Sequence, residues 1–380
     1  MRQNLHIGVD ARVLAERHTG VATYTRLLLR HLLTVRKDAR LTLFSHRPID
    51  SDVLAAIDVS GRTSVCCRRC PPAMLARPVW DHALLPMAVA SREPHLFFSP
   101  LSVVPRFVRT PRVVTVHDLG FLRFPGIQPA KYRWYWQAAL RRAVRVADSL
   151  IAVSHSTARD AIELLGADLE RITVIHEAVD PFFLDEPTPE EESRILTRLN
   201  LEPGYILAVG TLEPRKNYET VFQVLERLRA HRPALRLVIV GAAGWLCEEV
   251  VRTIRSNSDH IQWLDAADNH TLRALYRNAS IFLFPSLYEG FGLPVLEAMA
   301  CGTPVVTSDA GSLPEIGGGA AIHVPACDPD KISEAVLNLL DNENLREDYR
   351  RRGHEQVRRF SWESAARKTW EVFDRVLQEA

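Results

Sequence analysis

The chain has 380 residues, which at roughly 100 to 200 residues per domain predicts two domains and excludes a single small module. Hydrophobic residues make up 47% of the sequence and charged residues 24%, as in soluble globular proteins, so a disordered or low-complexity chain is excluded. Lys and Arg number 47 and Asp and Glu 46, and the net charge of +1 gives no general attraction for nucleic acid.

The charge is divided unevenly, with 25 basic and 17 acidic residues in 1–185 against 22 and 29 in 186–380. A basic half attracts an anionic substrate or lipid surface, although ordinary solvated arginines give the same count. The sequence has no apolar run of about 20 residues and no signal-peptide core at its start, so we expect a cytoplasmic protein. Six cysteines give no disulfide framework, and the cluster of Cys66, Cys67 and Cys70 lacks a second zinc-ligand pair.

In the first half of the chain, short apolar runs of strand type alternate with helical patterns. Strands are predicted at 5–9, 41–44, 96–98, 113–116, 150–153 and 172–175. A helix is predicted after the break at Thr19 and Gly20, and another at about 131–147. Strands separated by helices indicate an α/β domain with a mostly parallel, doubly wound sheet.

An acidic, proline-containing segment over 184–203 marks a domain boundary, and a second series follows it. Its predicted strands are 205–209, 235–240, 261–263, 281–284 and 304–306, with helices near 218–230, 246–256, 270–277 and 293–300. The sequence therefore predicts two tandem Rossmann-like domains, over 1–185 and 203–360. Because ligands bind outside the carboxyl ends of parallel strands, we expect the domains to face each other across a ligand-binding cleft.

The last predicted helix, within 361–380, carries an apolar stripe that includes Trp370 and Phe373. It packs either on the second domain, which precedes it in the chain, or back toward the first domain.

The segment 285–304 combines a strand end, a glycine-rich turn and a helix start. Glu289 lies in the turn and Glu297 one turn inside the helix. Free backbone amides at a helix start suit anionic or hydroxyl oxygens, and the span between the glutamates, about 10 Å or more, reaches both ends of a nucleotide sugar. Each glutamate alone fits a solvated surface residue, but together in this turn they indicate a binding site.

Two further pairs lie just after predicted strands. Arg215 and Lys216 would stabilise the charge on a diphosphate leaving group, or would simply cap the next helix. His117 and Asp118 end the strand at 113–116, where doubly wound domains present functional groups, or form only a local hydrogen bond.

These motifs resemble one known family. The run 288–307, with two glutamates separated by seven residues around Gly-Phe-Gly-Leu-Pro, is similar to the signature of retaining GT-B glycosyltransferases of family four. Residues 211–217 resemble that family's diphosphate-binding segment, and 8–12 with Thr19 and Gly20 resemble its amino-terminal opening. The likeness covers nearly the whole chain and implies a GT-B fold and hexose transfer from a nucleotide sugar with retention.

The resemblance also implies roles for individual residues. Arg215 and Lys216 would hold the diphosphate, Glu297 the ribose, and Glu289 with the following amides the sugar. His117, through side chain or backbone carbonyl, would support oxocarbenium charge, and Asp118 would orient it or meet the acceptor. The catalytic candidates are thus His117, Asp118 and Glu289, and the donor-binding candidates are Gly20, Gly210, Arg215, Lys216, Gly290, Phe291, Gly292, Leu293 and Glu297.

The amino-terminal opening is less specific. Many relatives have a second glycine where this chain has Ala22, so the Gly20 loop suits the donor phosphate or the acceptor equally. Asp10 and Arg12 are either loop-stabilising or catalytic.

We expect neither a metal nor a cofactor. The Asp-x-Asp pairs at 50–52 and 328–330 do not follow strands, and Asp328 opens a helix, where Asp is a common cap. The chain has no Gly-x-Gly-x-x-Gly turn of a dinucleotide-dependent enzyme. No side chain is an obvious covalent nucleophile, so we expect front-face attack in which the leaving phosphate oxygen takes the acceptor proton.

The opening over 8–20 most resembles bacterial polysaccharide mannosyltransferases, including those of lipopolysaccharide synthesis. We therefore expect GDP-mannose as donor and a saccharide or lipid-linked saccharide as acceptor. The alternatives are a UDP-hexose donor, a nucleotide-sugar epimerase on the same fold, and a non-catalytic nucleotide-binding subunit. The basic and aromatic segment 131–136 either contacts the inner face of the cell membrane or packs into the first domain.

Overall fold

The structure, a computed structural model, describes residues 5–15, 19–58, 60–68, 79–105, 108–127 and 130–380, with only the backbone at 127 and 130–136. The chain divides into two units. Unit 1 consists of Met1–Leu122, Ala130–Glu177 and Ser361–Ala380, and unit 2 consists of Arg123–Pro129 and Ala178–Phe360.

Unit 1 contains a parallel sheet of seven strands in the order β3-β2-β1-β4-β5-β6-β7. The strands are β1 (Leu5–Asp10), β2 (Ala39–Ser45), β3 (Thr63–Cys67), β4 (Leu96–Ser99), β5 (Arg112–Val116), β6 (Ser149–Ala152) and β7 (Ile172–Val174). The helices are α1 (Gly20–Val35), α2 (Ser51–Ile57), α3 (Leu85–Arg92), α4 (Gly120–Arg123), α5 (Ala130–Val146) and α6 (His155–Leu165). Every residue of β1, β4 and β6 is buried, as expected for strands covered by helices on both faces of a sheet.

Unit 2 contains a parallel sheet of six strands in the order β10-β9-β8-β11-β12-β13. The strands are β8 (Ile206–Val209), β9 (Leu237–Val240), β10 (Ile261–Leu264), β11 (Ile281–Phe284), β12 (Val305–Ser308) and β13 (Ala321–Val324). The helices are α7 (Pro189–Leu199), α8 (Tyr218–His231), α9 (Glu248–Ser256), α10 (Asn269–Asn278), α11 (Leu293–Ala300), α12 (Leu313–Gly317), α13 (Pro329–Asp341) and α14 (Glu343–Val357). Two parallel α/β sheets confirm the predicted fold class.

In both sheets the strand order reverses beside the first strand of the unit, between β1 and β4 and between β8 and β11. The loops that leave two such strands run to opposite sides of the sheet, which opens a crevice at the carboxyl edge where ligands bind. In unit 2, Arg215 and Lys216 follow β8 and Glu289 follows β11. The topology therefore brings the predicted cation pair and the predicted turn glutamate to one place.

Two strands of the structure, β3 and β13, were not predicted from the sequence. β3 is an edge strand with exposed side chains at Ser64, Val65 and Cys67, so its sequence carries no continuous apolar run. β13 is the opposite edge strand of the second sheet, with two half-buried residues among its four. Of the cysteine cluster, Cys66 and Cys67 lie in β3, and Cys70 lies outside the described residues.

The basic and aromatic segment 131–136 is part of α5, but its side chains lie outside the described residues, so the predicted membrane contact stays a prediction. Among the helices that the structure describes, none has the length and apolar composition needed to cross a bilayer.

The C-terminal helix α15 (Trp362–Glu379) packs in unit 1, against α1, and not on the unit that precedes it in the chain. The indole Nε1 of Trp370 donates a hydrogen bond to the carbonyl oxygen of Leu32 at 3.0 Å. The guanidinium of Arg36 lies 4.9 Å from the centre of the Trp370 ring and pairs with Asp374 at 2.6 Å. The buried stripe of α15 thus covers the same helix that opens at Gly20.

Replacing this anchor should loosen unit 1. We expect Trp370→Ala to destabilise the unit by about 3 kcal/mol or more, because the change removes a buried ring together with its hydrogen bond and cation contact. Thermal unfolding followed by circular dichroism measures the loss. The control Lys368→Ala changes an exposed residue of the same helix and should leave the melting temperature almost unchanged. Equal melting temperatures for all three proteins would contradict the anchoring role.

Candidate active site

The loop after β8 presents Arg215 and Lys216 on a single 3-10 turn, Pro214–Lys216. Gly210, at the end of the strand, has φ +150°, and a Cβ there would lie only 2.9 Å from Cε of Lys216. The positive φ favours glycine at this position, and the absence of a Cβ also leaves room for the lysine side chain. The side-chain Nδ2 of Asn217 donates to the carbonyl oxygens of Pro285 and Ala326 at 3.1 and 2.7 Å, which ties the turn to the segments that follow β11 and β13.

Arg215 and Lys216 form a buried ion cluster with Glu213 and Glu289, which we call the ion quartet. Nε and Nη2 of Arg215 donate to Oε1 of Glu213 at 2.9 and 2.6 Å, while Nη1 donates to Oε2 of Glu289 at 2.6 Å. Nζ of Lys216 donates to Oε1 of Glu289 at 2.6 Å. The four side chains are between 4% and 18% exposed. Two cations and two carboxylates thus neutralise one another in a site largely shielded from water.

The ion quartet shifts the pKa values of its members. Burial alone raises the pKa of Glu289, but Arg215 and Lys216 outweigh this effect and bring the pKa down to about 2. Burial lowers the pKa of Lys216, and the charge of Glu289 acts in the opposite direction. The Lys216 ammonium also lies 4.5 Å from the centre of the Phe284 ring. Glu289 is therefore a carboxylate at neutral pH, able to accept hydrogen bonds but not to donate them.

Ser312 holds the backbone of the glycine-rich turn after β11. Its hydroxyl donates to the carbonyl oxygens of Glu289 and Phe291 at 3.1 and 2.7 Å. Gly311 has φ +59°, and a Cβ there would lie 2.6 Å from the carbonyl oxygen of Glu289, so only glycine allows this approach. The backbone of the turn is therefore fixed independently of the Glu289 side chain.

The remaining donor-binding candidates follow in sequence. Gly290 and Phe291 complete the turn, and the Phe291 ring packs edge-to-face on Phe360 at 6.0 Å. Gly292 has φ +105°, and α11 begins at Leu293 with a proline in its first turn.

Glu297, on α11, has a different environment from Glu289. The buried Tyr276 donates its hydroxyl hydrogen to Oε2 of Glu297 at 3.0 Å. Burial raises the pKa of Glu297 to about 7, and the nearby Asp180 adds to the rise, against the opposing effect of the tyrosine hydrogen bond. The two glutamates of the motif are thus chemically distinct, because one is held ionised and the other is poised between its two protonation states.

In unit 1, both ring nitrogens of His117 are engaged by the protein. Nδ1 lies 3.1 Å from Oε1 of the buried Glu177, and Nε2 lies 2.8 Å from the carbonyl oxygen of Pro100. The ring also packs edge-to-face on Tyr24 at 4.7 Å. Both polar partners are oxygen acceptors, so these contacts fix the orientation of the ring.

The neighbouring candidates of unit 1 are more exposed. Asp118 is exposed and accepts a hydrogen bond from the backbone of Gly120 at 3.2 Å, so Glu177 rather than Asp118 orients the His117 ring. Gly20 begins α1 at an exposed position, and the hydroxyl of Thr19 caps this helix by accepting from the backbone of Ala22 at 3.1 Å.

Asp10 and Arg12 form a buried triad with Asp81. Nε of Arg12 donates to the two Asp10 oxygens at 3.0 and 3.1 Å, and Nη1 pairs with Asp81 at 2.5 Å. The side chains are at most 4% exposed. This geometry favours the loop-stabilising interpretation over a catalytic one.

The Asp-x-Asp pairs lie at helix starts, but the expectation that neither follows a strand was wrong, since β2 ends at Ser45 and β13 at Val324. Asp328 accepts from the backbone of Lys331 at 3.0 Å and caps α13, as predicted, and Asp50 precedes α2.

Sequence reasoning missed the residues that support the predicted ones, namely Glu177, Glu213, Tyr276 and Ser312. Glu213 and Glu177 carried a signal, since one lies two residues before Arg215 and the other lies just beyond the carboxyl end of β7. Tyr276 and Ser312 act on residues more than 20 positions away, so no local pattern identifies them.

Comparison with known proteins agrees with the geometry of both units. Residues 18–183 match the family model "Glycosyltransferase Family 4" and residues 189–356 match "Glycosyl transferases group 1". The O-antigen chain mannosyltransferase B of Escherichia coli is 29% identical over 362 residues, 92% of this chain and 94% of that protein. The serotype-specific mannosyltransferase WbdA of Escherichia coli is 30% identical over 241 residues, 62% of this chain but 29% of that larger protein.

Among solved structures, HepE of Anabaena in complex with UDP-glucose is similar with a TM-score of 0.75 and 18% identity, over 97% of this chain and 99% of that one. A likeness at this identity concerns the fold alone. The matches to the two family models together extend over most of the chain, and the chain belongs to the group 1 glycosyltransferases, with domains of the family-four type and the GT-B fold.

Proposed function

We propose that this glycosyltransferase moves mannose from GDP-mannose to a hydroxyl of a saccharide or lipid-linked saccharide acceptor, in the synthesis of a surface polysaccharide. The observation that carries the proposal is the likeness to an O-antigen mannosyltransferase, which extends through both units and over nearly the full length of both proteins. The match to a second mannosyltransferase supports the same sugar. Neither family model nor these relatives support the epimerase alternative.

In this proposal the donor is held at the carboxyl edge of the unit 2 sheet. Arg215 and Lys216 bind the diphosphate, where buried cations stabilise the negative charge of the leaving group better than cations in water. The ionised carboxylate of Glu289 accepts hydrogen bonds from the sugar hydroxyls. The backbone amides from Gly290 to Leu293 donate hydrogen bonds to the sugar. Glu297 accepts the ribose hydroxyls. The support is the placement of these groups at the strand-order reversal, where doubly wound domains bind ligands.

The proposed reaction retains the configuration at the anomeric carbon. The bond from this carbon to the diphosphate oxygen breaks, the acceptor oxygen bonds on the same face, and its proton passes to the leaving phosphate oxygen. The pairing of Glu289 with two cations supports a binding role over a nucleophilic one. Both ring nitrogens of His117 face acceptors, whereas its backbone carbonyl oxygen, which accepts a hydrogen bond from the hydroxyl of Thr157 at 3.2 Å, has a second lone pair for the developing oxocarbenium charge.

The donor and the reaction can be tested together. Incubation with GDP- and UDP-sugars and a mannose-terminated acceptor should release GDP from GDP-mannose only when acceptor is present, and EDTA should leave the rate unchanged. Nuclear magnetic resonance of the product should show the anomeric configuration of the donor. Turnover of UDP-glucose in place of GDP-mannose would replace the proposed donor by the UDP-hexose alternative, and loss of turnover with EDTA would refute the metal-free reaction.

Removing either cation should weaken binding of the transition state. We expect Arg215→Ala and Lys216→Ala each to cost about 2 to 4 kcal/mol, a decrease of roughly 30- to 1000-fold in kcat/KM. Initial rates over a range of donor concentrations give this value. Arg227→Ala is the matched control, since Arg227 lies on α8 of the same unit and pairs with Asp330 at 2.7 Å. If Arg215→Ala had the kcat/KM of the wild type, the proposed diphosphate contact of Arg215 would be wrong and only a helix-capping role would remain.

The raised pKa of Glu297 makes donor binding dependent on pH. Ribose hydroxyls that donate to Glu297 favour its carboxylate, so binding lowers its pKa from about 7 and releases a proton. Affinity for the nucleotide sugar should therefore rise as the pH rises toward 7, with release of up to about one proton per donor near pH 6. Calorimetry in buffers of different ionisation enthalpy measures this release. Glu297→Gln should abolish it, and equal proton release by both proteins would contradict the ribose contact.

A further inference from the structure

The ion quartet occupies the groups that the proposed function assigns to the donor. Both carboxylate oxygens of Glu289 are used, Oε2 by Nη1 of Arg215 and Oε1 by Nζ of Lys216, each at 2.6 Å. The two cations that should meet the diphosphate are therefore already paired with the glutamate that should meet the sugar.

A diphosphate cannot simply add to this arrangement. Its oxygens would lie against Arg215 and Lys216 and thus beside the Glu289 carboxylate, and like charges repel strongly where water is largely excluded. The side chains of Lys216 and Glu289 are only 10% and 9% exposed, so solvent screens this repulsion poorly. Either the diphosphate binds elsewhere, or Glu289 leaves the cations when it arrives.

Contacts other than those of the Glu289 side chain hold Arg215, the turn that carries both cations and the glycine-rich turn in place. Arg215 is anchored at its other edge, where Nε and Nη2 bind Glu213. The turn that carries both cations is tied down by Asn217. Ser312 holds the backbone carbonyl of Glu289, so the backbone of the turn does not depend on the ion pairs of the Glu289 side chain.

Building on the proposed function, we propose that Glu289 is a counter-ion that the donor diphosphate displaces. Phosphate oxygens take its place on Nη1 of Arg215 and Nζ of Lys216, and the released carboxylate turns to accept the hydroxyls of the donor sugar. Glu213 is the counter-ion that remains.

The exchange would distinguish the donor from the product. An intact nucleotide sugar replaces the broken ion pairs of Glu289 with hydrogen bonds from its sugar hydroxyls. A nucleoside diphosphate has no sugar hydroxyls at this position, so the displaced carboxylate gains no new hydrogen bonds. After transfer, Glu289 therefore returns to the cations and promotes release of the nucleoside diphosphate.

The test compares the affinities of GDP, UDP and GDP-mannose for the wild type, for Glu289→Gln and for Glu226→Gln, by calorimetry. Glu289→Gln should bind the nucleoside diphosphates roughly tenfold or more tightly than the wild type does, because charge-assisted bonds no longer have to be broken. The same variant should gain less affinity, or lose affinity, for GDP-mannose, and its transfer rate should fall. Glu226→Gln removes the same charge from an exposed position on α8 and should match the wild type.

Equal or weaker binding of both nucleoside diphosphates by Glu289→Gln would overturn the displacement and make Glu289 a fixed support of the cations. The proposed function would survive that result as long as the wild type transfers mannose. A wild type that neither binds a nucleotide nor transfers sugar would overturn both. Should Glu289→Gln not fold, Glu289→Asp decides, because a carboxylate one methylene shorter cannot reach both cations and should give a smaller gain in nucleoside diphosphate affinity.

Discussion

The buried pairing of Arg215 and Lys216 with Glu213 and Glu289 organises the carboxyl edge of unit 2. Charges removed from water are costly unless each finds a partner, so these four side chains constrain one another and the two loops that carry them. Those loops follow β8 and β11, which are neighbours because the strand order reverses there. The sheet topology thus determines that an arginine and a glutamate 74 positions apart share one hydrogen bond.

The two glutamates of the 288–307 motif show how one turn can present two kinds of carboxyl group. Glu289 is ionised because two cations face it, whereas Glu297 is half-buried beside a tyrosine hydroxyl, and its shielding from water together with the nearby Asp180 raises its pKa. A carboxylate that stays ionised, such as Glu289, can accept hydrogen bonds from donor groups at any pH near neutrality. A carboxyl group poised near neutrality can exchange a proton as its partners change.

Much of the fold was predictable because apolar strands that are buried on both faces leave continuous runs in the sequence, as β11 and β12 do. The edge strands β3 and β13 leave no such run, since part of each faces solvent. The candidate site was predictable where its residues share one local motif, as the segment around Glu289 does. Contacts between distant segments, such as Ser312 with Glu289 or Tyr276 with Glu297, depend on tertiary packing and correspond to no local pattern in the sequence.

The helix α15 follows unit 2 in the chain but completes unit 1. During synthesis on the ribosome, the whole of unit 2 is therefore made while the face of α1 around Leu32 still lacks its cover. Domains generally fold as units as they emerge, so the first unit of this chain can finish only after the second has been translated. Until then the apolar surface that α15 covers stays exposed, so the order of translation differs from the order in which the two units are completed.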